Sequence, residues 1–180
     1  RLKEEHFEKA IDALGRIGEL YSRDGFYSKA VAIYKRILKL DKLPTRSLLI
    51  DTHERLATLY GQLGLVSDAM SHYAIVVDYY DQMNERDLLL AALKKVADLD
   101  PHNIENQLKL VDLMMAQNQM ESSLEKLGQM ETEARERSST ADLVRVYEKF
   151  VEYFPKDFEK LKELVQLLIG AHEPKKALAK

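Results

Sequence analysis

Apolar residues recur every three to four positions along most of the chain, with polar residues between them. This spacing is typical of α-helices that bury one face. Turn residues interrupt the pattern at intervals, beginning at Asp24-Gly25, and the segment 43–47 is expected to be a longer connector. The pattern predicts helices near 7–21, 30–40, 50–63, 67–83, 86–100, 104–117, 120–137, 139–154 and 157–171. A further helix is expected near Pro174, since proline is tolerated in a first helical turn. No stretch alternates with a period of two, so we expect an all-α protein of about nine to ten helices.

The pattern also repeats at a distance of 54 residues. Equivalent positions keep their character in Leu56, Leu110 and Leu164, in Ala57, Val111 and Val165, in Lys95 and Lys149, and in Pro101 and Pro155. A fixed period of this kind indicates a stacked array of helical hairpins. Such arrays usually bind other macromolecules on an extended surface.

The first two units resemble the tetratricopeptide repeat, whose unit of 34 residues has a large residue at position 4, small residues at 8 and 20 and an aromatic residue at 11. These positions are taken by Leu14, Gly18, Ala30 and Tyr21 in one unit, and by His53, Ala57, Ala69 and Tyr60 in the next. Small residues at positions 8 and 20 let the two helices approach closely. Gly25 and Gly64 fall where the chain must turn with a positive φ.

The resemblance implies a solenoid of helical hairpins, wound as a right-handed superhelix, in one array over 1–180. Its units are expected near 11–44, at 50–83 with an extra helix 85–100, at 104–137 with an extra helix 139–154, and in part at 158–180. The motif makes 104–117 the first helix of a pair, whereas counting hairpins makes it a second helix, and both readings remain open. The three-helix period resembles repeat proteins of gliding and predatory bacteria, which implies a role in polarity or motility machinery.

Composition excludes several classes of function. The chain of 180 residues has 46% hydrophobic and 32% charged residues, the mixture of an ordinary folded protein. It has no cysteine, which excludes disulfides and thiolate metal sites. Its net charge of −3 is too small to attract nucleic acid or an anionic membrane by itself, and no long apolar span is present. We therefore expect a cytoplasmic protein without nucleic-acid or membrane partners. Because the chain begins at Arg1, we also expect it to be an excerpt of a longer protein.

No set of residues predicts catalysis or metal binding. The five histidines are scattered without helical pairing, and His53 occupies a repeat position that usually packs. Carboxylate pairs such as Asp78 and Asp81 are expected to face solvent, because acid–base catalysis requires an enclosed pocket. Phosphate loops, nucleophile elbows and dinucleotide fingerprints are absent. We expect a protein that is not an enzyme and holds no metal or cofactor.

The resemblance implies a binding groove formed by the first helix of each pair. Its lining positions correspond to Asp51, Glu54, Thr58, Gly61 and Gln62 in the second unit, and to Glu105, Leu108, Asp112, Met115 and Ala116 in the third. The Lys, Asn and Arg side chains with which relatives bind a C-terminal carboxylate are missing there. An acidic, partly apolar groove predicts an adaptor for a partner with basic and apolar residues, although a solvated helix face is the equal alternative.

Two further interpretations are open. Tyr79 and Tyr80 are either exposed aromatic anchors or residues packed between neighbouring helices. The chain is alternatively a structural spacer or self-assembling module, because an array that stops mid-repeat exposes apolar surface. In that case further repeats or another copy would cover the uncapped C-terminal end at Leu161, Leu164, Leu168 and Ile169.

Overall fold

The structure, a computed structural model, describes residues 2–40 and 45–170, with side chains from Phe7 onward, and this part is built from nine α-helices without a β-strand. The helices are α1 (Leu2–Arg23), α2 (Tyr27–Leu38), α3 (Arg46–Gln62), α4 (Val66–Gln82), α5 (Arg86–Leu99), α6 (Ile104–Ala116), α7 (Met120–Glu136), α8 (Thr140–Tyr153) and α9 (Phe158–Gly170). The all-α prediction is confirmed. Most of the connector 43–47 and the helix expected near Pro174 lie outside the described residues.

The chain divides into two compact units, Arg1–Asp100 and Pro101–Lys180. Unit 1 contains α1 to α5, and unit 2 contains α6 to α9. The single array over 1–180 stays a prediction. Helix starts recur at the distance found in the sequence, since α4 and α7 begin at Val66 and Met120 and α5 and α8 at Arg86 and Thr140.

The same type of backbone turn links the two helices in each of five hairpins, α1–α2, α3–α4, α4–α5, α6–α7 and α7–α8. In each, one residue has a positive φ, namely Gly25, Gly64, Asn84, Asn118 and Ser138. The next residue donates its N–H to a carbonyl five positions back, at 2.8 Å from Phe26 to Tyr21 and 2.9 Å from Leu65 to Tyr60. This is the Schellman ending of a helix, in which glycine is favoured and asparagine is tolerated. The positive φ predicted for Gly25 and Gly64 is confirmed.

Close packing in unit 1 depends on small residues opposite large ones. A Cβ atom added to Gly18 of α1 would lie 2.8 Å from ring carbons of Tyr34 in α2. Ala30 and Ala69 are completely buried, and Tyr34 is 3% exposed. The absence of a side chain at Gly18 therefore lets the tyrosine ring fill the space between the first helices.

The core of unit 2 joins the last three helices through apolar side chains. Leu127 of α7, Tyr147 and Phe150 of α8, and Leu164 and Leu168 of α9 belong to one buried cluster. Leu164 and Leu168 are at most 1% exposed. They are thus covered within this unit, and the expectation that they need a further repeat or another copy to cover them is wrong.

Candidate functional site

A cleft of about 520 Å³ opens on one side of unit 1 and brings α1, α3 and α5 together. Its charged lining consists of Glu19, Asp51 and Glu54 with Arg23, Arg55 and Lys95. Three acids and three bases cancel, so the charged side chains of this cleft carry no net charge. The predicted groove residues Asp51, Glu54 and Thr58 all line it.

Arg55 is the centre of the polar network on the floor of the cleft. Its guanidinium donates to Asp51 at 2.8 Å and to the Tyr34 hydroxyl at 3.3 Å, and it lies 2.9 Å from Glu19 of α1. Burial lowers the pKa of Arg55, but the hydrogen bond and charge of Asp51 outweigh it, so the pKa lies above its ordinary value. Burial is also the main reason that the pKa of Tyr34 is raised. Arg55 therefore stays charged and links the first three helices.

Glu54 is the second anchor of the cleft. Lys95 of α5 donates to its carboxylate at 2.7 Å, and the Tyr80 hydroxyl donates at 3.4 Å. Burial lowers the pKa of Lys95, but its bond to Glu54 raises it above the ordinary value. Nearby, the Thr58 hydroxyl lies 3.0 Å from that of Tyr73. These contacts join α3, α4 and α5 on the side of the helices that faces the cleft.

A neighbouring depression of about 290 Å³ continues the same surface. Thr58, Gly61, Gln62 and Lys95 are part of its lining, so the predicted groove positions of the second unit lie in two adjoining depressions. A Cβ atom on Gly61 would meet Leu99 at 2.9 Å. Gly61 therefore serves the packing of α3 against α5 as well as the shape of the surface.

Unit 2 places the remaining predicted groove residues differently. Glu105 pairs with Arg145, and Asp112 accepts from Lys149 at 2.7 Å and from the Tyr153 hydroxyl at 2.6 Å. Burial, and then the bond to Asp112, raises the pKa of Tyr153 to about 12.

The two apolar residues expected in this part of the groove differ in exposure. Leu108 is 6% exposed in the core, whereas Met115 is partly buried against it. Leu108 therefore does not offer its side chain to a groove, because the α6 face that carries it packs against its neighbours.

The sequence does not reveal which bases pair with the predicted carboxylates. Apart from Arg55, which follows Asp51 by one helical turn, they lie about 40 residues further on, as Lys95 does from Glu54. Helical spacing reveals contacts within a helix but not those two helices away. The equivalent positions of Lys95 and Lys149 were the available signal, since each reaches a carboxylate of the same unit.

Tyr79 and Tyr80 are half-buried beside a core cluster of Ile50, Val76 and Ala92. Their rings are 5.8 Å apart, and the Arg46 guanidinium lies 5.4 Å from the Tyr79 centroid. Burial, and then the charge of Glu54, raises the pKa of Tyr80. These contacts are those expected of the packing interpretation.

A second polar network joins the three helices α7, α8 and α9. The Tyr147 hydroxyl lies 2.7 Å from Glu131 and 2.5 Å from Glu163, while Arg135 donates to the hydroxyl at 2.5 Å. Lys160 donates to Glu131 at 2.6 Å. Burial raises the pKa of Glu131, but bonds from Lys160 and Tyr147 outweigh it, so the pKa lies below its ordinary value. A phenol has one proton, so Tyr147 can donate to only one of the two carboxylates at a time.

The structure brings together two histidines that the sequence keeps 19 residues apart. The Nδ1 atoms of His53 in α3 and His72 in α4 lie 2.7 Å from each other. Both rings are half-buried, and His72 stacks on Tyr60 at 5.5 Å with 14° between the planes. The pair is not evident from the sequence, because the packing of the hairpin creates it and the two residues have no helical spacing. Within the described residues, no group of three or more His, Cys, Asp or Glu side chains is placed to hold a metal ion.

Comparison with solved structures supports a tetratricopeptide-type fold, and it shows the fold alone. No family model matches the sequence, and no curated protein matches it either. BtubC (BKLC) from P. vanneervenii is similar in structure, with a TM-score of 0.51 and 13% identity over 94% of this chain and 76% of that one. A putative kinesin light chain from Podosopora anserina, with nearly identical TPR-like repeats, gives 0.44 and 13% over 89% and 94%. YrrB, a TPR protein with an unusual peptide-binding site, gives 0.41 and 13% over 97% and 98%.

None of the helices within 2–40 and 45–170 combines the length and the apolar character needed to cross a membrane.

Proposed function

We propose that this protein is a non-enzymatic adaptor whose unit 1 cleft binds an extended segment of a partner protein. The observation that carries the proposal is the cleft itself, an open depression of about 520 Å³ lined by charges of both signs. Helical repeats offer such surfaces to extended polypeptides. The volume is within the range of ligand pockets, but the open form suits a chain passing through better than a small substrate to be enclosed.

The ion pair between Glu54 and Lys95 indicates which charges a partner segment carries. A basic residue of the partner competes with Lys95 for Glu54, and an acidic residue competes with Glu54 for Lys95. We therefore propose a segment with basic and apolar side chains, as the sequence analysis expected, that carries at least one acidic residue as well. Leu59 and the ring of Tyr34 supply the apolar part of the lining.

A charge swap separates contact with the partner from an effect on the fold. Glu54→Lys breaks the pair with Lys95, whereas Glu54→Lys/Lys95→Glu restores the pair with the signs exchanged. The test pans a phage-displayed peptide library against the wild-type protein and measures the affinity of the selected peptides for each variant. We expect both variants to lose at least about tenfold in affinity, because a charge that meets its like costs several kcal/mol.

The matched control makes the same exchange in unit 2, Asp112→Lys/Lys149→Asp, and leaves the selected peptides unaffected. If the Glu54→Lys/Lys95→Glu variant binds them as tightly as the wild type, the cleft is not their site. The same variants used as baits in the source cell identify natural partners. Their identity tests the predicted setting, a cytoplasmic polarity or motility assembly of a bacterium.

One observation favours the alternative of a spacer or self-assembling module. Phe158 is 74% exposed and Ile169 is 57% exposed, on the same helix α9. A concentration-dependent mass in sedimentation velocity, abolished by Ile169→Glu, would support this alternative, and a constant monomer would exclude it. The substitution is made at Ile169 because the neighbouring Leu168 is a core residue.

A further inference from the structure

The smaller depression beside the cleft of unit 1 differs from the cleft in chemical character. The cleft is lined by six charged side chains, whereas the depression of about 290 Å³ has Ala57, Tyr73 and Leu99 around Gly61 in its lining. Thr58 and Lys95 line both, so the two depressions adjoin. A partner chain that crosses the cleft therefore meets an apolar subsite directly beside a charged one.

The depression depends on the missing side chain of Gly61 in α3. A Cβ atom there would lie 2.9 Å from a methyl carbon of Leu99 in α5, so another residue would displace that methyl group and take up part of the space. Unit 2 has larger side chains at both equivalent positions. Met115 and Tyr153 stand 54 residues after Gly61 and Leu99, and both pack against the core of unit 2. The apolar subsite is thus a property of unit 1 and not of the repeat as such.

The rim of the depression favours a basic residue next to the apolar one. Asp98 of α5 is exposed there, and none of the ion pairs within 2–40 and 45–170 is formed by it. Lys95 of the same helix is already bound to Glu54 at 2.7 Å. The carboxylate of Asp98 is therefore available to a cationic side chain of the partner.

An extended partner chain can use both depressions with side chains that lie close together in its sequence. In such a chain, the side chains at positions i and i+2 point to the same face and lie about 6.6 Å apart. We propose that the depression at Gly61 is the specificity subsite of the cleft and takes an apolar side chain of the partner, two positions from the charged side chain bound at Glu54 and Lys95. A basic residue adjacent to the apolar one pairs with Asp98. This inference rests on the proposed function and adds the sequence motif that the cleft selects.

The test starts from the peptides that the phage library yields against the wild-type chain. We expect them to share an apolar residue two positions from a charged one, with a basic residue adjacent to the apolar one. Replacing the apolar residue by alanine should lower the affinity by at least about tenfold, because the loss of even one methylene from an apolar pocket costs that much. The shared motif is read from the wild type alone, so it needs no variant that folds.

Two variants connect the motif to the depression. Gly61→Met gives α3 the residue type that α6 has at the equivalent position, and its side chain fills the depression. The alanine replacement in the peptide should then change the affinity by less than about twofold, since groups that do not touch have additive effects. Leu99→Ala enlarges the depression, and panning against it should select a larger apolar residue than the wild type does. Leu99→Ala inserts no bulk between α3 and α5, so it decides the proposal if Gly61→Met folds poorly.

Gly15→Met is the matched control, because a Cβ atom at Gly15 meets open space and Gly15 lines neither depression. It should leave the affinity of the peptides unchanged. Peptides without the apolar position, or an alanine cost in Gly61→Met equal to that in the wild type, would overturn this inference alone, provided that Glu54→Lys/Lys95→Glu still weakens their binding. Peptides whose affinity that exchange leaves unchanged would refute the proposed function itself.

Discussion

Removing one oxygen atom from Tyr147 tests how strongly the polar network of unit 2 stabilises the fold. Tyr147→Phe keeps a ring that is 1% exposed and deletes the hydroxyl that contacts Glu131, Glu163 and Arg135. Burial raises the pKa of Tyr147 above its ordinary value, so the hydroxyl remains a donor at neutral pH. Hydrogen bonds to charged groups contribute about 1.5–3 kcal/mol.

The loss of unfolding free energy on deleting the Tyr147 hydroxyl should lie in the lower part of that range. The side chain of Arg135 is 52% exposed and that of Glu163 is 32% exposed, so water screens and replaces part of the interaction. Glu131 is 13% exposed and retains Lys160 as a partner. We therefore expect Tyr147→Phe to lower the unfolding free energy of unit 2 by about 1.5–2 kcal/mol.

Tyr73→Phe is the matched control in unit 1. Tyr73 is 2% exposed, and its hydroxyl bonds to the neutral Thr58 at 3.0 Å. Loss of a neutral bond should cost only about 0.5–1.5 kcal/mol. Native-state hydrogen exchange read by mass spectrometry resolves α7–α9 from α3–α5, so each cost is assigned to its own unit. A cost for Tyr147→Phe no larger than that for Tyr73→Phe would refute the reasoning.

Four further substitutions check the packing and the electrostatics. Gly18→Ala forces a Cβ atom against the Tyr34 ring and should cost about 1–3 kcal/mol in urea unfolding, whereas Gly15→Ala, with open space around it, should stabilise by about 0.5–1 kcal/mol. Equal effects at the two glycines would contradict the close approach of α1 and α2. Because the pKa of Glu131 is lower in the folded than in the unfolded chain, its stabilisation is complete above the unfolded value, near 4.5, and is lost as the pH falls through the folded value. Between about pH 7 and pH 3, Glu131→Gln should therefore lose less stability than the wild type, and parallel pH curves would rule this out. Leu168→Ala should cost about 2–5 kcal/mol without changing the mass in solution, and a cost below about 1 kcal/mol would contradict the burial of Leu168 within the unit.

The hydrophobic period and the turn residues were sufficient to predict the helices, because both act within a few residues along the chain. The apolar stripe of each helix faces a neighbour, and Gly25 and Gly64 adopt the positive φ that their spacing predicted. Asn118 and Ser138 perform the same turn without glycine, and their residue types alone did not reveal it. Asparagine reaches the left-handed region easily, whereas serine is held there by the turn that follows α7.

The candidate site was predicted in part. Asp51, Glu54 and Thr58 were placed on one surface by repeat position, and they line one cleft in the structure. The charge balance of the cleft was not predictable from the sequence. Arg55 pairs with Glu19, and Lys95 with Glu54, only when α1, α3 and α5 lie side by side. Leu108 was predicted to line the groove from its repeat position, but its side chain is buried in the core.

The sequence by itself determined the local structure, because helix periodicity and chain reversal depend on neighbours within one or two turns. The tertiary structure alone decided which charges neutralise each other and which rings meet. Lys95 reaches Glu54 across 41 residues and His53 reaches His72 across 19, and both contacts depend on the packing of one helix against another. Such contacts leave no short-range pattern in the sequence, since the energy of an ion pair or a ring contact depends on distance in space and not along the chain.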